Sequence, residues 1–502
     1  MTATRSKAYY AAIDLGSNSF HMLVVRVVAG GVQVVSKIKR KVRLAAGLGP
    51  NGELDDDAKQ RALACLKIFA DRVQDIDSRH IRAVGTATLR KVRHDQDFIA
   101  ACEAALGHPI DIISGDEEAA TIYQGIAHTT SFQQPMLIID IGGASTELVQ
   151  GQGFRADTLN SLDMGCVTWY TQFFKPDQGA ITASNTEAAI QAAQHCCEVV
   201  ANQYSQVQDS IVLGASGTFK ALQEIAHAQE MPYQFERAWL EQVLAQCVAC
   251  GRHDSLKIPG LKAARKPVFV SGLCILLGVM RGLGLQQVQP TSGALREGVI
   301  YALLSQQQQS VEQSDVQQRT LDTIAATYHL DTEQAIRVHQ LAHRFYQQLR
   351  DIWVFPAQAE QLLRAVAYTH ELGLSLAYKQ ASAHATYMLQ HLDMPGFNQT
   401  QRQQLVELIA ATAGIIDDDN DANQHPHMAM RHLERVVRLA IVLCQRRTND
   451  SVAAHDLKAR GEHLHLQAPT DFLQRNPFLL SLLEAEQEQL NAPEQLTFAP
   501  LS

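Results

Sequence analysis

Nowhere does the sequence hold a run of about 18 consecutive apolar residues, which excludes an ordinary membrane-spanning helix. Cysteine is sparse and odd in number, nine in 502 residues. The opening stretch MTATRSKAYYAAIDLG has no apolar leader core, so reduced thiols and a cytoplasmic setting are expected. Only one C-x-x-C occurs, Cys247 to Cys250, so no four-thiolate zinc set can be completed from paired motifs. A three-ligand set of Cys247, Cys250 and His253 stands against the plainer reading, small apolar residues on a packed helix. The adjacent Cys196 and Cys197 rarely chelate one ion. A basic excess is missing too: the net charge is −9, which argues against a general nucleic-acid binder. Any polyanionic ligand must meet local positive charge or a metal ion.

What is present is an ordinary globular composition, 46% hydrophobic and 19% charged, in a chain long enough for two to four domains. One cationic run stands out, KIKRKVRL, with Lys37, Lys39, Arg40, Lys41 and Arg43. It is either a solvated strand face or one wall of a phosphate channel.

The chain also repeats itself. AAIDLGSNSFHMLVV (11–25) and LIIDIGGASTELVQ (137–150) align with Asp14 on Asp140, Gly16 on Gly142 and Ser19 on Ser145. Each copy reads as strand, tight turn, strand. Strand and helix patterns alternate through the first 300 residues, so two α/β halves are expected, each opening with this hairpin. The expected divisions are 1–122 and 123–304 for the halves. The Gln-rich SQQQQSVEQSDVQQ gives a linker at 305–318. A mostly helical domain is expected at 319–460, and a small terminal unit with short strands at 461–502.

Such turns have a chemical use. Backbone N–H groups at a turn tip form a nest for phosphate oxygens, and glycine lets that backbone approach closely. Candidate cradle residues are Gly16, Ser17, Asn18 and Ser19 in the first turn, and Gly142, Gly143, Ala144, Ser145 and Thr146 in the second. Asp14 and Asp140, at the strand ends, are placed to hold a metal ion beside the phosphates. One Asp-x-Gly-x-x-Ser is weak, since Asp-Gly turns are common. Two copies plus GASGT (Ser216, Gly217, Thr218) form a much more specific set: one cleft with two phosphate-gripping hairpins.

Here the sequence resembles a known family. The paired hairpins look like the phosphate loops of the actin, hexokinase and Hsp70 superfamily. DLGSNSFHMLV, GTATLR, ISGDEEA, DIGGASTELV, MGCVTW, GASGT and GALREG together resemble the exopolyphosphatase/guanosine pentaphosphatase family over nearly the whole chain. KIKRKVRLAAGL, HELGLS and LDMPGF are closer to its guanosine pentaphosphatase branch. The resemblance implies two actin-like (ribonuclease H-like) α/β domains, then a mostly α, HD-like domain. It makes Glu118 the catalytic base, Arg90 a phosphate contact, and Asp14, Asp140 and Glu147 holders of Mg²⁺. The implied ligands are pppGpp and ppGpp or polyphosphate, with a homodimer as the assembly. One departure is Ala120, where family members often carry arginine after EEA. In the helical part the place of an HD pair reads Tyr368-Thr369-His370-Glu371, near His339, His343 and His384 in pattern. That Asp-to-Glu change makes a degenerate scaffold the expectation there.

Two other function classes use the same residues. A small-molecule kinase shares the superfold, which does not decide between them; no sugar site is recognisable. A non-catalytic alarmone-binding regulator needs no base, and the retained Glu118, Asp140 and Glu147 argue against it.

Overall fold

The computed structural model describes residues 8–49, 51–132, 134–204, 207–306, 315–415, 427–449, 455–469, 472–490 and 495–500. The chain forms two compact units, 1–316 and 317–502.

In the first unit the predicted repeat becomes a repeat of topology. Strands β1 (Tyr9–Leu15), β2 (Ser19–Val28), β3 (Gly31–Lys41), β4 (Ile81–Gly85) and β5 (Ile110–Ile112) form a sheet in the order β3-β2-β1-β4-β5. Strands β6 (Met136–Ile141), β7 (Thr146–Gln152), β8 (Arg155–Leu162), β9 (Ile211–Ala215), β10 (Phe235–Glu236) and β11 (Gln287–Pro290) form the second, ordered β10-β11-β9-β6-β7-β8. In each, an antiparallel meander of three strands continues into parallel strands from the first strand's other edge. The central strand β6, MLIIDI, is buried throughout, as a strand covered on both faces must be.

Local chemistry sets the helices. Asp55 caps Asp56–Val73 by accepting from Ala58 N at 2.6 Å. Ser114 and Glu117 form a reciprocal capping box at the start of Gly115–Ala127. The Lys266–Gly282 helix is buried nearly all round and anchors the core of the second half. A further core joins the halves: Ala12 and Leu23 from the first sheet, Ile138 and Val149 from the second, and Ile122, Val299 and Ile300 from two helices between them. Those two helices, Gly115–Ala127 and Leu295–Gln306, cross with almost no side chain between their backbones. A Cβ on Gly298 would stand 1.8 Å from Thr121 O, and one on Gly125 2.1 Å from Ala294 O.

The expected boundary at 122/123 lies inside the Gly115–Ala127 helix, and the Gln-rich linker lies largely outside the described residues. The packed-helix reading of Cys247 and Cys250 is met by the Arg237–Cys250 helix, whereas strands β8, β10 and β11 have no counterpart in the sequence reading; they are short or polar and lack an apolar run.

The second unit is mainly helical, as expected. Val316–Tyr328, Thr332–Leu349, Ala359–Thr369, Ala381–His391, Gln399–Ala410 and Met428–Leu443 pack around one core. The predicted terminal strands are present as His463–Ala468 and Gln495–Pro500, joined by Asp456–Arg460. His370 is a satisfied core residue, its Nδ1 2.8 Å from Ala367 O, and Glu371 pairs with Arg447. No HD-type metal centre is assembled among the described residues. Nor is the Cys247, Cys250 and His253 set: Cys247 sits in the core, with burial pushing its thiol up to about 12. Among the described residues no helix is long and apolar enough to cross a membrane.

Candidate active site

The first unit holds a cavity of about 510 Å³ into which both hairpin turns project. The turns abut: a Cβ on Gly143 would lie 2.9 Å from Ser17 Cβ and 3.1 Å from Asn18 N. Both turns need glycine for the same reason. A Cβ on Gly16 would press on Ser19 O at 2.9 Å, and one on Gly142 on Ser145 O at 3.0 Å.

Register places the reactive side chains. Directly paired residues of neighbouring strands share a face of the sheet. In the first sheet Asp14 pairs with His21, and His21 with Lys39. In the second Asp140 pairs with Glu147, and Glu147 with Ser161. The repeat thus sets out two matching rows with different chemistry: acid, imidazole and ammonium in one, acid, acid and hydroxyl in the other. His21 Nδ1 lies 3.1 Å from Asp14 Oδ2. Ser161 donates to Glu147 Oε1 at 2.8 Å, and Ser216 donates to Asp140 Oδ1. Ser216 does so from a left-handed backbone with φ 72°, a strained setting for a residue with a Cβ.

Glu118 enters from one turn into the Gly115–Ala127 helix and is 6% exposed. Arg90 donates to its Oε2 at 2.6 Å and to Ile113 O at 3.1 Å. Burial pushes the Glu118 carboxyl up to about 7 against the pull of Arg90. Burial likewise raises Asp140 to about 6 and Glu147 well above the carboxylate range, and Glu118 and Asp140 add repulsion at Glu147.

A cationic wall completes the cavity. Lys37 and Lys39 of the predicted run line it, with Lys220, Arg265 and Arg296. Desolvation holds Lys39 down to about 8, reinforced by Arg265, Arg296, Lys220 and Lys41. The Arg265 guanidinium lies on Gly217, where a Cβ would meet it at 2.1 Å. The Ser19 hydroxyl is buried in the turn with no hydrogen-bond partner among the described residues.

Most of the residues singled out in the sequence therefore meet here: Asp14, the first turn Gly16–Ser19, Glu118, Asp140, Gly142, Gly143, Ser145, Glu147 and Ser216–Thr218. Three do not line the cavity. Arg90 sits behind Glu118, Ala144 is buried beside Gly165, and the Thr146 hydroxyl is spent on Met164 O at 2.6 Å. Lys220, Arg265 and Arg296 escaped the sequence reading. Lys220 and Arg296 fall just past or within GASGT and GALREG, a usable signal; Arg265 carries none.

Residues 23–307 match the Ppx/GppA phosphatase family, and residues 316–487 match Ppx/GppA phosphatase, domain III. The chain belongs to the Ppx/GppA phosphatase family. It is 42% identical over 487 residues to a guanosine-5'-triphosphate,3'-diphosphate pyrophosphatase of Vibrio vulnificus (strain YJ016), covering 97% of each chain. Solved family structures show the same fold. An exopolyphosphatase from Cytophaga hutchinsonii is 22% identical with a TM-score of 0.54, covering 59% of this chain and 98% of its own. The Aquifex aeolicus Ppx/GppA member is 19% identical with a TM-score of 0.51, covering 60% of this chain and 99% of its own. The two α/β halves are the actin-like pair, and the chain is a hydrolase of this family with a helical domain III.

Proposed function

We propose that this chain removes the terminal phosphate of guanosine pentaphosphate (pppGpp), giving ppGpp and phosphate, and that it acts on inorganic polyphosphate as a second substrate. The observation that carries the reading is the pairing of one buried carboxyl, Glu118, with an acid row and a cationic wall around a single cavity. The relative from Vibrio vulnificus favours the nucleotide substrate.

The acids do not form a closed cage: among the described residues no group of three His, Cys, Asp or Glu side chains converges to hold an ion alone. That arrangement fits Mg²⁺, which takes one or two carboxylates and completes its shell with water and substrate phosphate. Asp140 and Glu147, with Asp14 across the cavity, would hold it. Bound Mg²⁺ supplies charge neutralisation on the phosphoryl oxygens.

The protein's own groups do the rest. The turns at Gly16–Ser19 and Gly142–Ser145 direct backbone donors at the phosphate chain. Lys37, Lys39, Lys220, Arg265 and Arg296 balance its charge. Glu118 Oε orients an attacking water and takes its proton as the water oxygen bonds to phosphorus and the bridging oxygen leaves. No residue needs to act as nucleophile.

The test is phosphate release from pppGpp and, in parallel, from long-chain polyphosphate with Mg²⁺, for wild type and Glu118→Gln. A loss of about 10²–10⁴-fold in the variant is expected. No release from either substrate, or equal release by the variant, would sink the proposal.

A further inference from the structure

We propose that Ser161 is a positioning residue for the hydrolytic centre: it orients the Glu147 carboxylate for cation binding and ties it to the helix that carries Glu118. The inference rests on the metal-dependent reading above.

Ser161 is the third member of the acid row, and its hydroxyl donates to Glu147 Oε1 at 2.8 Å. Glu147 is 1% exposed, so this donor cannot be replaced by bulk water. Hydrogen-bonded partners orient a carboxylate that ligates a cation, and Ser161 supplies one beside the Ser145 side chain. The same side chain presses on the other element of the site. A Cβ on Gly115 would fall 2.6 Å from Ser161 Cβ and 3.0 Å from its Oγ. Gly115 opens the helix on which Glu118 sits three residues later. Ser161 thus touches the metal-side acid through its hydroxyl and the base helix through its methylene. In the first half the equivalent place in the row is Lys39, which faces the phosphate side. The duplicated hairpin has exchanged a charge for a neutral donor at the point where an acid must stay free for a cation.

The measurement is Mn²⁺ and Mg²⁺ binding by calorimetry without substrate, together with the Mg²⁺ dependence of phosphate release. Wild type, Ser161→Ala, Gly115→Ala and Glu147→Gln would be compared. Ser161→Ala should bind the cations about 10–100-fold more weakly, the usual cost of losing a group that orients a ligand. Half-maximal phosphate release should shift to a correspondingly higher Mg²⁺ concentration. Gly115→Ala, whose new methyl displaces Ser161, should weaken cation binding in the same direction. Cation affinity unchanged in Ser161→Ala while Glu147→Gln loses binding would overturn the proposal and leave the metal reading standing. No cation binding by wild type, together with phosphate release that does not depend on Mg²⁺, would overturn both.

Discussion

At the scale of single residues, the decisive fact is that each buried acid has a specific partner. Arg90 bonds Glu118 rather than lining the cavity. Arg90 pulls the Glu118 carboxyl down, so Arg90→Gln should move the acid limb of the kcat/KM profile to higher pH. A raised KM with an unmoved limb would assign Arg90 to the phosphate instead. Asp140 carries a different cost. Its carboxyl is raised from 3.8 to about 6, so the native state holds its proton more tightly than the unfolded chain. Stability therefore falls as pH rises through that window, and above it the full penalty remains, on the order of 3 kcal/mol. Asp140→Asn should accordingly raise the Tm of metal-free protein at pH 7.5, with a smaller difference at pH 4.5, while activity is lost. A lowered Tm at pH 7.5 would show that ionised Asp140 carries no such penalty in the native state.

At the scale of elements, the Gly115–Ala127 and Leu295–Gln306 helices carry the link between chemistry and packing. Glycine at 125 and 298 lets the backbones meet, which holds Glu118 at one end and Arg296 at the other against a common cavity. Gly298→Ala should destabilise the protein by about 1–3 kcal/mol through overpacking and lower kcat by moving Glu118. Urea unfolding with phosphate release would read both; unchanged stability would mean the helices part freely. The hairpins themselves were legible in the sequence because Asp, Gly and Ser at fixed offsets encode a turn locally. Strands β10 and β11 were not, since at two and four residues they are too short for any alternation to separate a strand from a loop.

At the scale of the molecule, a protein of net charge −9 concentrates Lys37, Lys39, Lys220, Arg265 and Arg296 in one cavity. Such a field attracts anionic substrate and is screened by salt, with a Debye length of about 8–10 Å at 0.1–0.15 M. KM for pppGpp should rise with KCl while kcat stays nearly level. A kcat that falls in parallel, with KM flat, would show that salt acts on the chemistry rather than on capture.

The paired hairpins, the Asp at each strand end, the helix start that presents Glu118 and the helical character of the second unit can all be read from the sequence alone. All of these are written in short-range pattern: turn residues, caps and period. It took the folded chain to show which row each Asp joins, that Arg90 bonds Glu118, that Thr146 is spent on Met164, and that Lys220, Arg265 and Arg296 join Lys39. Those outcomes depend on strand register and on loops brought together across more than 200 residues. Such contacts are chosen by global packing, which no local stretch of sequence encodes.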